Sequence, residues 1–225
     1  MIKKLGHWIA DYSYLFREKL YPIWRHAPPS HYLGYVLEHK RPVILIPGIT
    51  STWHFLRYIG DALSHQGHPV YVVGELGRMM DDVPRLAQAL KDFIEKRNLR
   101  NVIIVCHSKG GLVGKYILAF LNKDSRVKKV IAIAVPWGGS RMVKIIPHRN
   151  YKELLPESKL VRDLGKQQDA NRLITSIYGL WDNHIWPTEH ARLGGANNIQ
   201  VPIHGHHKIL FDKRVRDIVM KEVDV

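Results

Sequence analysis

The sequence predicts an α/β fold: a three-layer, doubly wound domain on a mainly parallel sheet of about six strands. Three observations carry that expectation. From residue 43 onward, short runs rich in Val and Ile alternate with stretches of helical period, the pattern of βα units. A chain of 225 residues is long enough to bury one sizeable core without a second independent domain. Its hydrophobic share of 45% and charged share of 24% exclude a disordered or fibrous chain.

At the N-terminal end, Leu5, Trp8, Ile9, Tyr12, Leu15, Phe16 and Leu20 recur at three- and four-residue intervals, predicting an amphipathic helix that Pro22 ends or bends. Two readings of it stand side by side. It either lies on a membrane surface or a partner, with Lys3, Lys4, Arg17 and Lys19 toward lipid phosphates, or it packs on the core. Residues 1–40 therefore read as this helix and a connection carrying Pro28 and Pro29, and residues 41–225 as the main domain. The strand candidates are Val43 to Ile46, Val70 to Val73, Val102 to Cys106, Val130 to Val135, Thr175 to Tyr178 and Ile199 to Ile203. Helices are expected at about 53–66, 83–97, 109–121, 157–172 and 208–221. The stretch from Trp137 to Pro156 breaks the rhythm through Gly138, Gly139, Pro147 and Pro156. It is a candidate lid or substrate loop, because open parallel sheets bind ligands beyond the carboxyl ends of their strands.

Lys and Arg number 34 against 20 Asp and Glu, a formal charge of +14 that attracts anionic surfaces such as membrane headgroups. No zinc-finger spacing, RNA-recognition signature or basic heptad accompanies it, so no specific nucleic-acid partner is expected. Cys106 is the only cysteine, which excludes an intramolecular disulfide and a multi-cysteine metal site. Asp11, Tyr12 and Ser13 interrupt the first apolar stretch, so it does not read as a secretion signal, and no run reaches the roughly 18 apolar residues of a spanning helix. A cytoplasmic or peripheral membrane location is the expectation; oligomeric state is not legible.

The strongest local signal runs from Val102 to Val113: an apolar strand, then Cys106-His107-Ser108-Lys109-Gly110-Gly111, then an apolar helix. That is the layout of a nucleophile elbow, whose turn is sharp enough to require small residues two before and two after the serine. Cys106 and Gly110 meet the requirement. A phosphate-cradling loop is the rival, but the P-loop spacing is missing. A serine hydroxyl needs a base, and that base a third group to fix its tautomer. In the chain order nucleophile, acid, histidine, Asp182 follows one strand and His206 the next. His204 and His207 compete with His206, and Asn183 lies one position from the acid. Metal binding by His204, His206 and His207 is the lesser reading, because no His-Glu-x-x-His helix is present. The strand and glycine turn Val43 to Thr52 could supply one oxyanion donor, the Ile49 N–H, with the Lys109 N–H as the second. Trp137, Met142 and Ile185 are the candidate substrate-lining residues.

These blocks resemble the α/β-hydrolase superfamily of the compact lipase and esterase type, with small bacterial triacylglycerol lipases and, more distantly, GPI inositol-deacylase-like hydrolases. The resemblance spans about Pro42 to Val215. Ile46-Pro47-Gly48-Ile49-Thr50 stands where these lipases usually have His-Gly, and Cys106 stands where they have glycine. Ala134 to Ser140 is similar to their Gly-Thr-Pro-His-x-Gly-Ser, and Ala191 to Gln200 leads into Gly205-His206 much as their chains run into the catalytic Gly-His. By that resemblance Ser108 is the nucleophile, His206 the base, Asp182 its orienter, and Ile49 and Lys109 the oxyanion donors.

The expectation is thus a carboxylic ester hydrolase working through an acyl-enzyme on acyl or lipid-like esters, with no metal or organic cofactor. Acyl transfer or amide cleavage by the same triad, or an inactive fold that docks on membranes or partners, are the alternatives. The ammonium of Lys109 either lies near the pocket, favouring anionic headgroups, or points to solvent.

Overall fold

The computed structural model describes residues 2–21, 27–146 and 148–225. Pro22, Pro147 and the side chains of Lys3 and Lys4 lie outside the described residues.

Six strands form one all-parallel sheet in the order β2-β1-β3-β4-β5-β6. They are β1 Val43–Ile46, β2 Val70–Val72, β3 Val102–His107, β4 Val127–Ile133, β5 Ile174–Trp181 and β6 Asn197–His204. β1 and β3 are buried at every residue, which is why they read as unbroken apolar runs rather than as alternating ones. Their side chains still alternate between the two faces. Ile44, Ile46, Ile104, Cys106, Val130 and Ala132 join one core with α4 (Val83–Lys96), α5 (Lys109–Tyr116) and α6 (Lys159–Lys166). Val43, Leu45, Ile103, Val105, Ile131 and Ile133 join the other with α3 (Arg57–His65) and α7 (Lys213–Asp224). Tyr32 of the short α2 (His31–Gly34) belongs to this second core.

Local chemistry explains where the expected helices divide. The stretch 208–221 begins as a 3-10 turn, Lys208–Phe211, and α7 starts afresh because the Asp212 side chain accepts the Arg214 N–H as an N-cap. The stretch 157–172 splits into α6, capped by Ser158, and a 3-10 turn Asp169–Leu173. After Tyr116 the helix widens into a π-helical turn, Ile117–Leu121. The stretch 53–66 opens as a 3-10 turn, Trp53–Leu56, before α3.

Helix α1 (Ile2–Leu20) runs beside the carboxyl ends of β5 and β6 toward the start of α3. His7 stacks on His204, Trp8 lies 6.2 Å from Trp181, and Tyr14 stacks on Phe211. Its buried face is polar: Asp11 and Glu18 are both fully buried, while Leu15 packs on the second core. Glu18 is held by Arg17 and by Arg57 at the start of α3.

Candidate active site

Ser108 stands alone between the last residue of β3 and the first of α5, with φ 52° and ψ −124°. A non-glycine residue in that region is strained, and it stays there only because strand and helix fix it from both sides. The turn is closed by glycines. A Cβ on Gly110 would lie 2.5 Å from the Ile46 carbonyl oxygen and 2.6 Å from that of Pro47, and one on Gly111 would lie 2.2 Å from a Val135 methyl. Cys106, two before the serine, is fully buried, so its place tolerates only a compact side chain.

His206 and Asp182 meet behind the same cavity wall. Asp182 lies just past the end of β5 and His206 two residues past the end of β6, so the parallel sheet delivers both to its carboxyl edge. Their Nδ1 and Oδ2 atoms are 2.8 Å apart, and both side chains are almost wholly buried. The second Asp182 oxygen accepts the N–H groups of His184 at 2.7 Å and Ile185 at 3.0 Å, which fixes the carboxylate's orientation. Burial pushes the Asp182 carboxyl up to about 6, against the opposing pull of the His184 ring and these two N–H groups. Burial, reinforced by His207, holds the His206 imidazole well below the ordinary histidine value and so neutral. Ser108 and His206 line one cavity. Among the described residues no hydrogen bond joins them, and the imidazole Nε2 is left free.

The rival histidines have other partners. His207 turns its Nδ1 to Asp11 at 2.9 Å, and His204 stacks on His7. Asn183 is a bridge: its Oδ1 accepts the His206 N–H, and its amide donates to Asp11. His204, His206 and His207 thus do not converge as metal ligands. Asp11, His184 and His207 offer ligand atoms within 4.8 Å of one another. However, both Asp11 oxygens already accept N–H groups: those of His207 and Lys208 on one, and those of Asn183 and the His207 ring on the other. That donor set suits a hydrogen-bonded carboxylate rather than a cation.

The cavity is lined by Ile49, Met142 and Ile185, together with Leu15, Lys19 and His184. Neither the Ile49 nor the Lys109 N–H is taken by the backbone hydrogen bonds of the described residues. Two expectations are corrected. Trp137 lies in the first core, with its indole N–H on the Ser176 hydroxyl at 2.8 Å, and does not line the cavity. Lys109 faces neither pocket nor solvent: its side chain is fully buried, with Nζ 2.6 Å from Glu153 Oε1 and 2.6 Å from the Asp81 carbonyl oxygen. A buried ammonium must find a counter-charge, and Glu153 supplies it. Asp11 and His184 join the site beyond the residues expected from sequence. For Asp11 a signal existed: Asp11 and Glu18 lie seven residues apart, on one face of a helix whose opposite face is apolar.

No family model matches the chain. A Mycoplasma pneumoniae protein that carries an esterase/lipase name is 44% identical over 48 residues, a segment covering 21% of this chain and 17% of that protein. The mature lipase BlEst2 of Bacillus licheniformis is similar in structure, with a TM-score of 0.65 at 18% identity, over 88% of this chain and 96% of that one. The monoacylglycerol lipase of Paleococcus ferrophilus superposes with a TM-score of 0.61 at 15% identity, over 82% of this chain and 95% of its own. With the all-parallel sheet and the strained serine at the end of its third strand, these likenesses establish that the chain has the α/β-hydrolase fold.

Proposed function

We propose that this protein is a carboxylic ester hydrolase that cleaves acyl or lipid-like esters through an acyl-enzyme. One observation carries the reading: Ser108, strained at the strand-to-helix turn, shares a cavity with a His206 ring whose other nitrogen is held by Asp182. The lipase names of the structurally similar proteins, and the esterase/lipase name of the protein matched over 48 residues, support it.

In this scheme the Ser108 hydroxyl attacks the ester carbonyl while His206 Nε2 takes its proton. The bond between them tightens when substrate fills the cavity, since such contacts are often loose without it. The N–H groups of Ile49 and of Lys109, the first residue of α5, receive the oxyanion. His206 then protonates the departing alcohol, and a water molecule repeats the sequence to release the acid. Asp182 steadies the imidazolium in both halves.

The test is a series of p-nitrophenyl esters of increasing chain length, assayed on the native protein and on Ser108→Ala. The variant is expected to lose at least about a thousandfold in kcat. A fluorophosphonate probe should label Ser108. Turnover that survives Ser108→Ala, or an adduct mapped to another residue, overturns the assignment.

A further inference from the structure

We propose that α1 is a docking surface for anionic lipid bilayers, seated on its outward apolar stripe. The helix is inverted relative to an ordinary surface helix. Leu5, Ile9, Phe16 and Leu20 follow the helical repeat along one face and are 61%, 64%, 67% and 43% exposed. Both acids of the helix are turned inward, Asp11 onto the His207 turn and Glu18 onto Arg57. An amphipathic helix that meets its own domain through its apolar side would arrange these residues the other way round. Here the protein meets the helix through hydrogen bonds, ion pairs and the side chains of Trp8, Tyr14 and Leu15, and leaves the stripe of Leu5, Ile9, Phe16 and Leu20 outward.

Charge selects the occupant. No acidic side chain is exposed along α1, whereas Arg17 and Lys19 are exposed on either flank of the stripe, and the whole chain carries a formal charge of +14. A second copy would bring the same basic flanks against themselves. An anionic bilayer neutralises them while taking up the four side chains, the arrangement of interfacial helices that bury an apolar face at the headgroup boundary. Leu15 and Lys19 of the same helix line the cavity that contains Ser108, so docking would set the mouth of that cavity at the lipid surface. Docking is independent of hydrolysis and is read without it.

The test is co-sedimentation of the full chain with phosphatidylcholine vesicles, with and without phosphatidylglycerol, at low and high salt. The expected result is at least tenfold stronger partitioning onto the anionic vesicles, weakened by salt. Combined Leu5→Ser, Ile9→Ser and Phe16→Ser should reduce it at least tenfold while leaving turnover of a soluble short-chain ester intact. As a second reading, Ile9→Cys carries an environment-sensitive dye, Cys106 being buried, and its emission should shift to the blue on anionic vesicles. Absence of vesicle binding, binding indifferent to the triple substitution, or a concentration-dependent dimer that the triple substitution abolishes would each overturn the proposal. Vesicle binding without ester turnover would instead sink the hydrolase reading and leave this one standing.

Discussion

Asp182 and His206 are buried together, and burial acts on them in opposite senses: it raises the carboxyl to about 6 and lowers the imidazole. A pH of about 7 lies above both, so under the proposed function the pair works as carboxylate with neutral imidazole, and the first proton bound belongs to the dyad as a unit. The value of kcat/KM for a soluble ester should therefore be level above about pH 7 and fall as pH drops below about 6. A midpoint well above 7 would count against this pair as the base. Asp182→Asn keeps the size of the side chain but removes the charge that, in the proposed reaction, stabilises the imidazolium. Loss of roughly a thousandfold or more in kcat, with KM little changed, is expected in steady-state assays. Gly110 acts by what it lacks. In Gly110→Ala the methyl would meet two carbonyl oxygens of the segment that also carries Ile49, and backbone cannot swing aside as a side chain can. A loss of at least about 2 kcal/mol in urea unfolding, together with loss of turnover, is the expected outcome.

One carboxylate fastens α1 to the turn that carries His206. Asp11 accepts from the N–H groups of His207 and Lys208 and from the Asn183 amide, and the same Asn183 accepts the His206 N–H. Asp11→Asn keeps one acceptor oxygen and turns an NH2 toward donors, leaving at least one buried N–H unpaired at a cost of about 1–3 kcal/mol. Calorimetry should show Tm falling by roughly 2–4 °C for each kcal/mol lost, and kcat should fall as the His206 turn loosens. Burial by itself would raise the Asp11 carboxyl, but the hydrogen bond and charge of His207 outweigh it and hold it well below the usual carboxylate range. A depressed folded-state value contributes stability above the unfolded value, and that stability is lost only as pH falls through the folded one. Acidification to about pH 5 should accordingly silence the dyad before it frees α1, so activity and unfolding should separate in pH. The sequence made the period of this helix visible but not the sense of its faces. Its apolar residues were expected either on a membrane surface or partner or on the core, and nothing local separates the two, because the buried acids Asp11 and Glu18 find their partners far away in the chain.

For the molecule as a whole, what could be read from sequence is what burial on both sheet faces forces locally. The Val and Ile runs and the glycine turn after β3 are short-range patterns; the runs form the sheet, and the turn lies at its carboxyl edge, where the segments carrying Asp182 and His206 also begin. Contacts that depend on distant segments were not legible, as Trp137 and Lys109 demonstrate: Trp137 is held by Ser176 of β5, and Lys109 by Glu153. Glu153 is the clearest case, because it joins three stretches of chain. Its Oε1 lies 2.6 Å from the Lys109 ammonium at the start of α5, its Oε2 accepts the Val83 N–H at the start of α4, and its carbonyl accepts the Ser158 hydroxyl. The Lys109 side chain is fully buried, so removing its partner strands a charge rather than merely deleting an attraction. Glu153→Ala is expected to cost about 3–5 kcal/mol in urea unfolding, more than any exposed pair such as Lys159 with Asp163 could. Replacing both partners by apolar residues, Lys109→Met with Glu153→Leu, should recover most of that loss, since two buried charges are removed together. The main-chain N–H of Lys109 survives that double substitution, so ester turnover should recover with stability. Recovery of stability without turnover would mean that the Lys109 and Glu153 side chains act in the chemistry itself and do more than brace the turn that holds Ser108.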